Sequence, residues 1–195
     1  MYELKDKELI FIFTGPTGAG RKTIAEMAGS TINMKQVLSY TTRQPRTNEA
    51  EGRDYHFISR DAFEEAQRRD EFVEVVEIDG ALYGIKNADI ESQLQEYGCI
   101  YLVLNRYGAE ILKDLYGDKV KRFFIYADRD TIVERLTKRG DSEEQIRRYL
   151  SHYDEELAYK GNCEHAYDNH DSSHTMYDIA KTMEGYLQRN LLELD

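Results

Sequence analysis

The chain has 195 residues, of which 41% are hydrophobic and 32% charged, a composition typical of a soluble globular domain large enough to bury a core. Its formal net charge of −11 disfavours nucleic acid and anionic membranes, and its apolar runs fall short of the ~20 residues that a membrane span needs. The first residues are too charged for a signal peptide, and Cys99 and Cys163 do not make a disulfide framework. We therefore expect a cytoplasmic protein with no nucleic-acid or membrane partner.

The first predicted elements are a strand, a glycine-rich turn and a helix. The apolar run ELIFIF (8–13) is too short for a helix and reads as a buried strand, which TGPTGAGRKT (14–23) and good helix formers follow. In this context, backbone N–H groups and the positive end of the helix can surround a phosphate. The glycines fit the Walker A pattern from Gly15 to Gly20. Plain α/β packing would produce a similar pattern, but phosphate binding is the favoured interpretation.

Short strands and helices are expected to alternate along the rest of the chain. A loop with Pro45 and Gly52 precedes the segment 60–69, which is rich in charged residues of both signs and is predicted to be helical. The predicted strands are 37–40, 99–105 and 119–127, and the predicted helices include 60–69 and 87–97. Strands 99–105 and 119–127 are rich in β-branched and aromatic residues and are separated by helical stretches, which indicates a parallel sheet with crossover helices.

A β-hairpin is predicted around Asp79-Gly80, between EFVEVVEI and ALYGI. A two-residue turn makes residues face each other when their numbers sum to 159, so Glu74 should face Ile85. The period of two then places Glu74, Tyr83 and Ile85 on one face, with Glu74 and Tyr83 as diagonal neighbours.

The C-terminal third carries helix signals. Thr131 and Glu134 resemble a capping box that opens a helix ending at Gly140, and Ser142 with Gln145 resembles a second one. The apolar stripes of the following helices are Ile146, Tyr149, Leu150, Tyr153 and Leu157, and then Met176, Ile179, Met183 and Leu187. We interpret the methionines as core residues and not as part of a cofactor site.

Several short motifs occur in one order along nearly the whole chain. They are GPTGAGRKT (15–23), SYTTRQPR (39–46), GRDYHF (52–57), EFVE (71–74), LYG (82–84), RLTKRG (135–140) and ELAY (156–159). In this order the motifs resemble the guanylate kinase family. The resemblance implies an α/β P-loop three-layer fold with a parallel sheet core, an inserted mixed β/α lobe that binds the nucleoside monophosphate, and a helical lid. Within a single domain, 1–195, the core would be 1–38 and 98–195, the GMP-binding lobe 39–97 and the lid 129–150.

The resemblance also implies ATP-dependent phosphorylation of GMP with Mg²⁺. The residues that match the GMP site are Ser39, Arg43, Arg46, Tyr55, Glu74, Tyr83 and Asn105. Those that match the ATP site are Gly15, Gly18, Ala19, Gly20, Arg21, Lys22 and Thr23. Those that match catalytic positions are Arg21, Lys22, Arg135, Arg139 and Arg148. Guanidinium groups form forked hydrogen bonds with phosphate, and a carboxylate accepts from the N1–H and 2-amino groups of guanine, a pattern that adenine lacks.

Each of these residues has an ordinary explanation when taken alone. Arg43 and Arg46 would fit a solvated loop, and Glu74 an outward strand position. Arg135 and Arg139, at i and i+4, would fit a surface pair bonded to nearby acids. The functional interpretation rests on the joint pattern.

Cys163 and three histidines, His165, His170 and His174, suggest a metal site. Their spacing is irregular and matches no structural zinc pattern. Exposed loop histidines are the simpler interpretation.

The departures from the family lie mainly on the donor side. Arg21 replaces the P-loop lysine and Lys22 the following hydroxyl residue, so a possible Mg²⁺ ligand is lost unless Thr23 supplies it. The strand end that reads D-[IV]-D in the family is Val-Leu-Asn (103–105), and Ile85 replaces a guanine-binding hydroxyl.

Two functions are therefore compared. One is a guanylate kinase; the alternative is a module that binds GMP or a phosphopeptide without turnover, as in the guanylate-kinase-like domains of scaffolding proteins. A lid arginine of the family matches Tyr149, and Arg147 and Arg148 beside it are the candidates to substitute for it. The enzyme is favoured because the chain carries no appended interaction module.

Overall fold

A computed structural model describes residues 2–46 and 48–192, without the side chains of 189–192. The strands are β1 Leu9–Thr14, β2 Lys35–Gln36, β3 Tyr40–Thr41, β4 His56–Phe57, β5 Phe72–Ile78, β6 Ala81–Lys86, β7 Cys99–Val103, β8 Val120–Tyr126 and β9 His165–Asp168. The helices are α1 Arg21–Thr31, α2 Arg60–Arg68, α3 Asn87–Tyr97, α4 Arg106–Tyr116, α5 Arg129–Arg139, α6 Glu143–Ser151, α7 Tyr153–Ala158 and α8 Ser172–Leu192. Of the helices in this part of the chain, none combines the length and apolar character needed to cross a membrane.

A parallel sheet of five strands, in the order β2-β7-β1-β8-β9, confirms the predicted α/β core. Its central strand β1 is buried on both faces. Ile10 and Ile12 face the cluster that includes residues of α3 and α4, while Phe11 and Phe13 face the cluster that includes α1 and α8. This arrangement explains why β1 is continuously apolar in sequence.

The second sheet is mixed and has four strands in the order β4-β3-β6-β5. The β5–β6 hairpin has the predicted register, with Glu74 opposite Ile85. Asp79 and Gly80 have φ angles of 51° and 76°. Positive φ at both central residues is the requirement of a type I′ turn, so the Asp-Gly pair sets the register. The two sheets carry opposite walls of the cleft described below.

The predicted strand 37–40 is wrong as a single element. β2 ends at Gln36 and β3 begins at Tyr40, because the chain passes from one sheet to the other between them. Val37 still donates its N–H to the oxygen of Tyr101, while the oxygen of Ser39 accepts from the N–H of His56. The connection is thereby anchored at both ends.

The helices after β8 begin and end at clear capping residues. The predicted capping box at Thr131 is wrong: α5 starts earlier, because the Asp128 side chain accepts from the Thr131 N–H at 2.7 Å. Gly140, with φ of 90°, ends α5 as predicted. The capping box of Ser142 and Gln145 is confirmed, with reciprocal bonds of 3.2 and 2.9 Å.

Both predicted apolar stripes lie in the core. The first spans α6 and α7, with His152 between the two helices, and packs on a cluster that contains Ile132 and Leu136 of α5. The second packs against β1 from α8. The methionines of α8 are core residues, as predicted, with Met183 fully buried.

Candidate functional site

A cleft of about 1350 Å³ lies between the glycine turn and the second sheet. Every predicted site residue lines it except Gly15 and Ala19. Gly15 lies beneath the cleft surface, where a Cβ would approach the oxygen of Ile125 to 2.0 Å, and Ala19 is fully buried. The fold therefore brings residues from distant parts of the sequence to one cavity.

The glycine turn leads directly into the first turn of α1. Gly20, with φ of 91°, occupies the N-cap position and has no side chain to cover the N–H groups that follow. No acidic residue lies in that first turn. Uncovered N–H groups at a helix start attract anions, so this turn suits a phosphate group.

The two altered residues of the turn each have a protein partner. Arg21 donates from Nη1 to the oxygen of Leu104, 3.0 Å away at the end of β7. The ammonium group of Lys22 forms an ion pair with Asp54 across the cleft and lies 3.6 Å from Glu26. Burial is the main cause that lowers the pKa of Lys22. A cation thus stands where the Walker A pattern has a hydroxyl group.

The donor set does not fit a Mg²⁺ ion held by the protein. Lys22 replaces the hydroxyl ligand, and Val103 offers no oxygen in its side chain. The Asn105 side chain caps α4 instead, accepting from the Gly108 N–H at 3.0 Å. Within residues 2–46 and 48–192, no three His, Cys, Asp or Glu side chains are grouped so as to hold a metal.

Two arginines of the loop between β3 and β4 converge on one carboxylate. Arg43 donates to Glu49 from Nη1 and Nη2 at 2.8 and 3.0 Å, and from Nε to the Tyr83 hydroxyl at 3.1 Å. The backbone N–H of Arg46 also donates to Glu49, at 2.8 Å. Although burial opposes it, these hydrogen bonds hold the pKa of Glu49 below its ordinary value. Sequence reasoning missed Glu49, whose carboxylate shows that this loop favours an anion.

The Tyr55 ring lies beside this group, 5.4 Å from the Arg43 guanidinium. Burial raises the pKa of its hydroxyl, which keeps the proton available for donation. The three groups Arg43, Tyr55 and Tyr83 can therefore donate to one oxyanion.

Glu74 is a buried carboxyl with an unused hydrogen-bonding atom. The residue is only 4% exposed, and its Oε2 has no hydrogen-bond partner among the described residues. Burial raises its pKa to about 7. A Cβ on Gly108 would lie 3.0 Å from Oε1, so that glycine leaves room for the carboxyl. Burying an unpaired carboxyl is costly, and its presence indicates a ligand that donates hydrogen bonds.

Ser39 and Asn105 also line this part of the cleft. Ser39 is only 7% exposed. The facing residue Ile85 is fully buried in the core, so it adds no hydroxyl beside Glu74.

The three predicted lid arginines have different surroundings. Arg135 is held against the glycine turn, donating to the oxygens of Ala19 at 3.3 Å and of Asn169 at 2.6 Å. Arg139 donates to Asp141 at 2.7 Å. Arg148 lies 3.6 Å from Asp79 at the tip of the hairpin.

Asn169 is a second residue that the sequence reasoning missed. It directly follows β9, is 1% exposed, and donates from Nδ2 to the Ala19 oxygen at 2.8 Å. Its Oδ1 is buried and lacks a partner in the described part of the chain. Its position after a strand of the parallel sheet, where ligands of α/β proteins bind, becomes visible only in the structure, because the sequence analysis predicted no strand at β9.

The expectation that His165, His170 and His174 lie in exposed loops is confirmed only in part. His165 lies in β9 and not in an exposed loop, with Nε2 2.7 Å from the Tyr186 hydroxyl and its ring stacked on Phe123. Burial lowers its pKa. His170 is exposed in a loop, as expected, whereas His174 is exposed on helix α8.

Comparisons with known proteins agree with this geometry. The guanylate kinase family model matches residues 7–187. A guanylate kinase from Nitrosomonas europaea is 28% identical over 187 residues, which is 95% of this chain and 93% of that protein. One from Francisella tularensis subsp. holarctica is 30% identical over 185 residues, 92% of this chain and 97% of that protein. The crystal structure of guanylate kinase from Anaplasma phagocytophilum has a similar fold, with a TM-score of 0.72, 23% identity, and coverage of 93% of this chain and 87% of that chain.

Proposed function

The chain belongs to the guanylate kinase family, and from this premise we propose that it transfers the γ-phosphoryl group of ATP to GMP, giving ADP and GDP. The observation that carries the proposal is the cleft itself. An arginine pair and an unpaired buried carboxyl lie in one cavity with an anion-binding glycine turn.

The phosphate of GMP is held by Arg43 and Arg46, with Tyr55 and Tyr83 completing the shell. The Glu49 carboxylate accepts hydrogen bonds from the Arg43 guanidinium that a phosphate would contact. Charge-assisted bonds of this kind contribute roughly 1.5–3 kcal/mol each. A phosphate that enters therefore competes with Glu49 for these donors.

Guanine is selected by Glu74, with Ser39 and Asn105 beside it. The Oε atoms of Glu74 accept from N1–H and the 2-amino group of guanine, which gives the buried carboxyl its missing partners. Adenine offers no such pair of donors and would leave the carboxyl unsatisfied, so it is rejected.

ATP is bound by the glycine turn, through the backbone of Gly15, Gly18, Ala19 and Gly20 and through Arg21, Lys22 and Thr23. Phosphoryl transfer depends on alignment and on neutralisation of charge. Family membership implies Mg²⁺ use, but the described residues hold no group of three His, Cys, Asp or Glu side chains that fits it. Charge neutralisation on the protein side therefore rests on this chain's cations: Arg21, Lys22, Arg135, Arg139 and Arg148.

We further propose the organisation that follows from this assignment. Residues 39–97 form the GMP-binding lobe, 129–150 the lid, and 1–38 with 98–195 the core of one domain. Cys99 and Cys163 are both free thiols, which suits the cytoplasm as the compartment.

The alternative, a module that binds GMP or a phosphopeptide without turnover, is not favoured. The curated relatives that match nearly the whole chain are named guanylate kinases. No relative described above points to a phosphopeptide partner.

An assay of ADP release with product identification tests the proposal. Purified protein with ATP and Mg²⁺ should convert GMP to GDP and should leave AMP, CMP and UMP nearly unchanged. No GDP above background at high ATP and GMP, with Mg²⁺ or Mn²⁺, would contradict it.

A further inference from the structure

Tyr149, on the lid helix α6, contacts the loop that carries the arginine pair. Its hydroxyl accepts a hydrogen bond from Nη2 of Arg46 at 2.9 Å, between residues 103 positions apart in the chain. The contact spans the cleft, since both residues line it from different elements.

The ring of Tyr149 is fixed in place on the lid side. It is half-buried and packs against the apolar cluster that contains Leu136 and Tyr153. The guanidinium groups of Arg139 and Arg148 lie 6.0 and 5.7 Å from its ring centroid. Tyr149 therefore contacts two arginines of the lid and one arginine of the loop between β3 and β4, which we call the acceptor loop.

Arg46 has few other restraints on its guanidinium group. Its side chain is 38% exposed, and its Nη1 lies 3.7 Å from Glu49, too far for a strong hydrogen bond. Arg43, by contrast, is fixed by Glu49 and Tyr83. The Tyr149 hydroxyl thus supplies the short contact that orients Arg46.

We propose that Tyr149 is a positioning residue that orients Arg46 toward the phosphate of GMP and couples GMP binding to the placement of the lid arginines. This inference rests on the proposed function. An arginine, which the resemblance places here, would repel Arg46, whereas the neutral phenol oxygen accepts from it. With tyrosine in place of arginine at position 149, the lid loses one positive charge and gains a hydrogen bond to the acceptor loop.

The test is Tyr149→Phe, which removes the hydroxyl and keeps the ring with its apolar and arginine contacts. By calorimetry, the variant should bind GMP about tenfold more weakly, while its ATP affinity stays within about twofold of wild type. Tyr177→Phe is the matched control, because Tyr177 is 63% exposed on α8. A purely structural role would lower both affinities and the melting temperature together, which would overturn the inference.

A double-mutant cycle with Arg46→Ala separates positioning from direct contact. If Tyr149 acts through Arg46, the double variant should bind GMP no more weakly than Arg46→Ala alone. Additive losses would overturn the inference, as would a Tyr149→Phe variant that binds GMP like wild type. If wild type itself binds no GMP, the proposed function fails together with this inference; the other contrary outcomes leave the proposed function intact.

Discussion

The carboxylate of Glu49 accepts hydrogen bonds from both terminal nitrogens of Arg43, at 2.8 and 3.0 Å. This forked geometry matches the one that guanidinium groups form with phosphate. The third donor of Arg43, Nε, bonds to the hydroxyl of Tyr83, which lies diagonal to Glu74 on the hairpin. Arg43 is therefore held in a geometry that suits an oxyanion.

Arg43→Ala should raise the KM for GMP about 30-fold or more and leave the KM for ATP within about twofold, because several charge-assisted bonds are lost on one side of the cleft. Steady-state kinetics with each substrate varied in turn measures this. Arg60→Ala is the matched control, since Arg60 lies on α2, away from the cleft, and pairs with Glu64 at 3.3 Å. An unchanged KM for GMP would remove Arg43 from the site.

GMP binding should weaken as the pH falls below 7. Burial raises the pKa of Glu74 to about 7, so the carboxyl gains a proton in acid and loses one of its acceptors for guanine. Well below the pKa of Glu74, the affinity for GMP should fall about tenfold for each pH unit. The phosphate of GMP titrates in the same range, and Glu74→Gln, which cannot titrate, supplies the reference. Parallel pH profiles for the two proteins would show that Glu74 does not contact the base.

Glu74 should also make the folded protein less stable as the pH rises, whereas GMP binding strengthens over the same range. Because the folded-state pKa of Glu74 is about 7 against an ordinary 4.5, the folded protein holds a proton that the unfolded chain releases between these values. The contribution of Glu74 to stability therefore falls as the pH rises through this range. Relative to wild type, the free energy of unfolding of Glu74→Gln should rise by roughly 3 kcal/mol between pH 4.5 and pH 8.

Urea unfolding of both proteins at the two pH values measures this gain. Glu77→Gln on the same strand is the control, since that side chain is 58% exposed. An equal stability difference at both pH values would mean that the carboxyl is not held in an apolar environment.

The donor side can be tested by restoring the usual residues of the turn. Arg21→Lys with Lys22→Ser returns the Walker A lysine and hydroxyl and removes the ion pair with Asp54. We expect kcat at saturating Mg²⁺ and ATP to rise about fivefold or more, because a hydroxyl ligand becomes available to a metal. Lys181→Ser, on the exposed side of α8, controls for the loss of a lysine. No gain in kcat would place the limitation at Val103 and Asn105 instead.

Local patterns predicted much of this fold because the physics that sets them is local. The Asp79-Gly80 turn determines the hairpin register, and this register alone placed Glu74 near Tyr83. The capping box at Ser142 was correct for the same reason. At Thr131 the prediction failed because Asp128, a residue type preferred over threonine at this position, lies three residues earlier and caps the helix instead.

The missed features depend on tertiary contacts. The break between β2 and β3 follows from the passage of the chain between two sheets. Glu49, Asn169 and the hydroxyl of Tyr149 acquire their roles from partners in other elements, which no short motif reveals. The clustering of the predicted arginines around one cleft required the folded structure.

Calorimetric titration of GMP and AMP into wild type, Arg43→Ala and Glu74→Gln tests the acceptor pocket most directly. We predict that wild type binds GMP at least about 100-fold more tightly than AMP, since AMP leaves the Glu74 carboxyl without donors. Arg43→Ala should weaken both nucleotides, while Glu74→Gln should weaken GMP alone. Equal affinity of wild type for GMP and AMP, or GMP binding unaffected by both substitutions, would contradict the pocket proposed for this cleft.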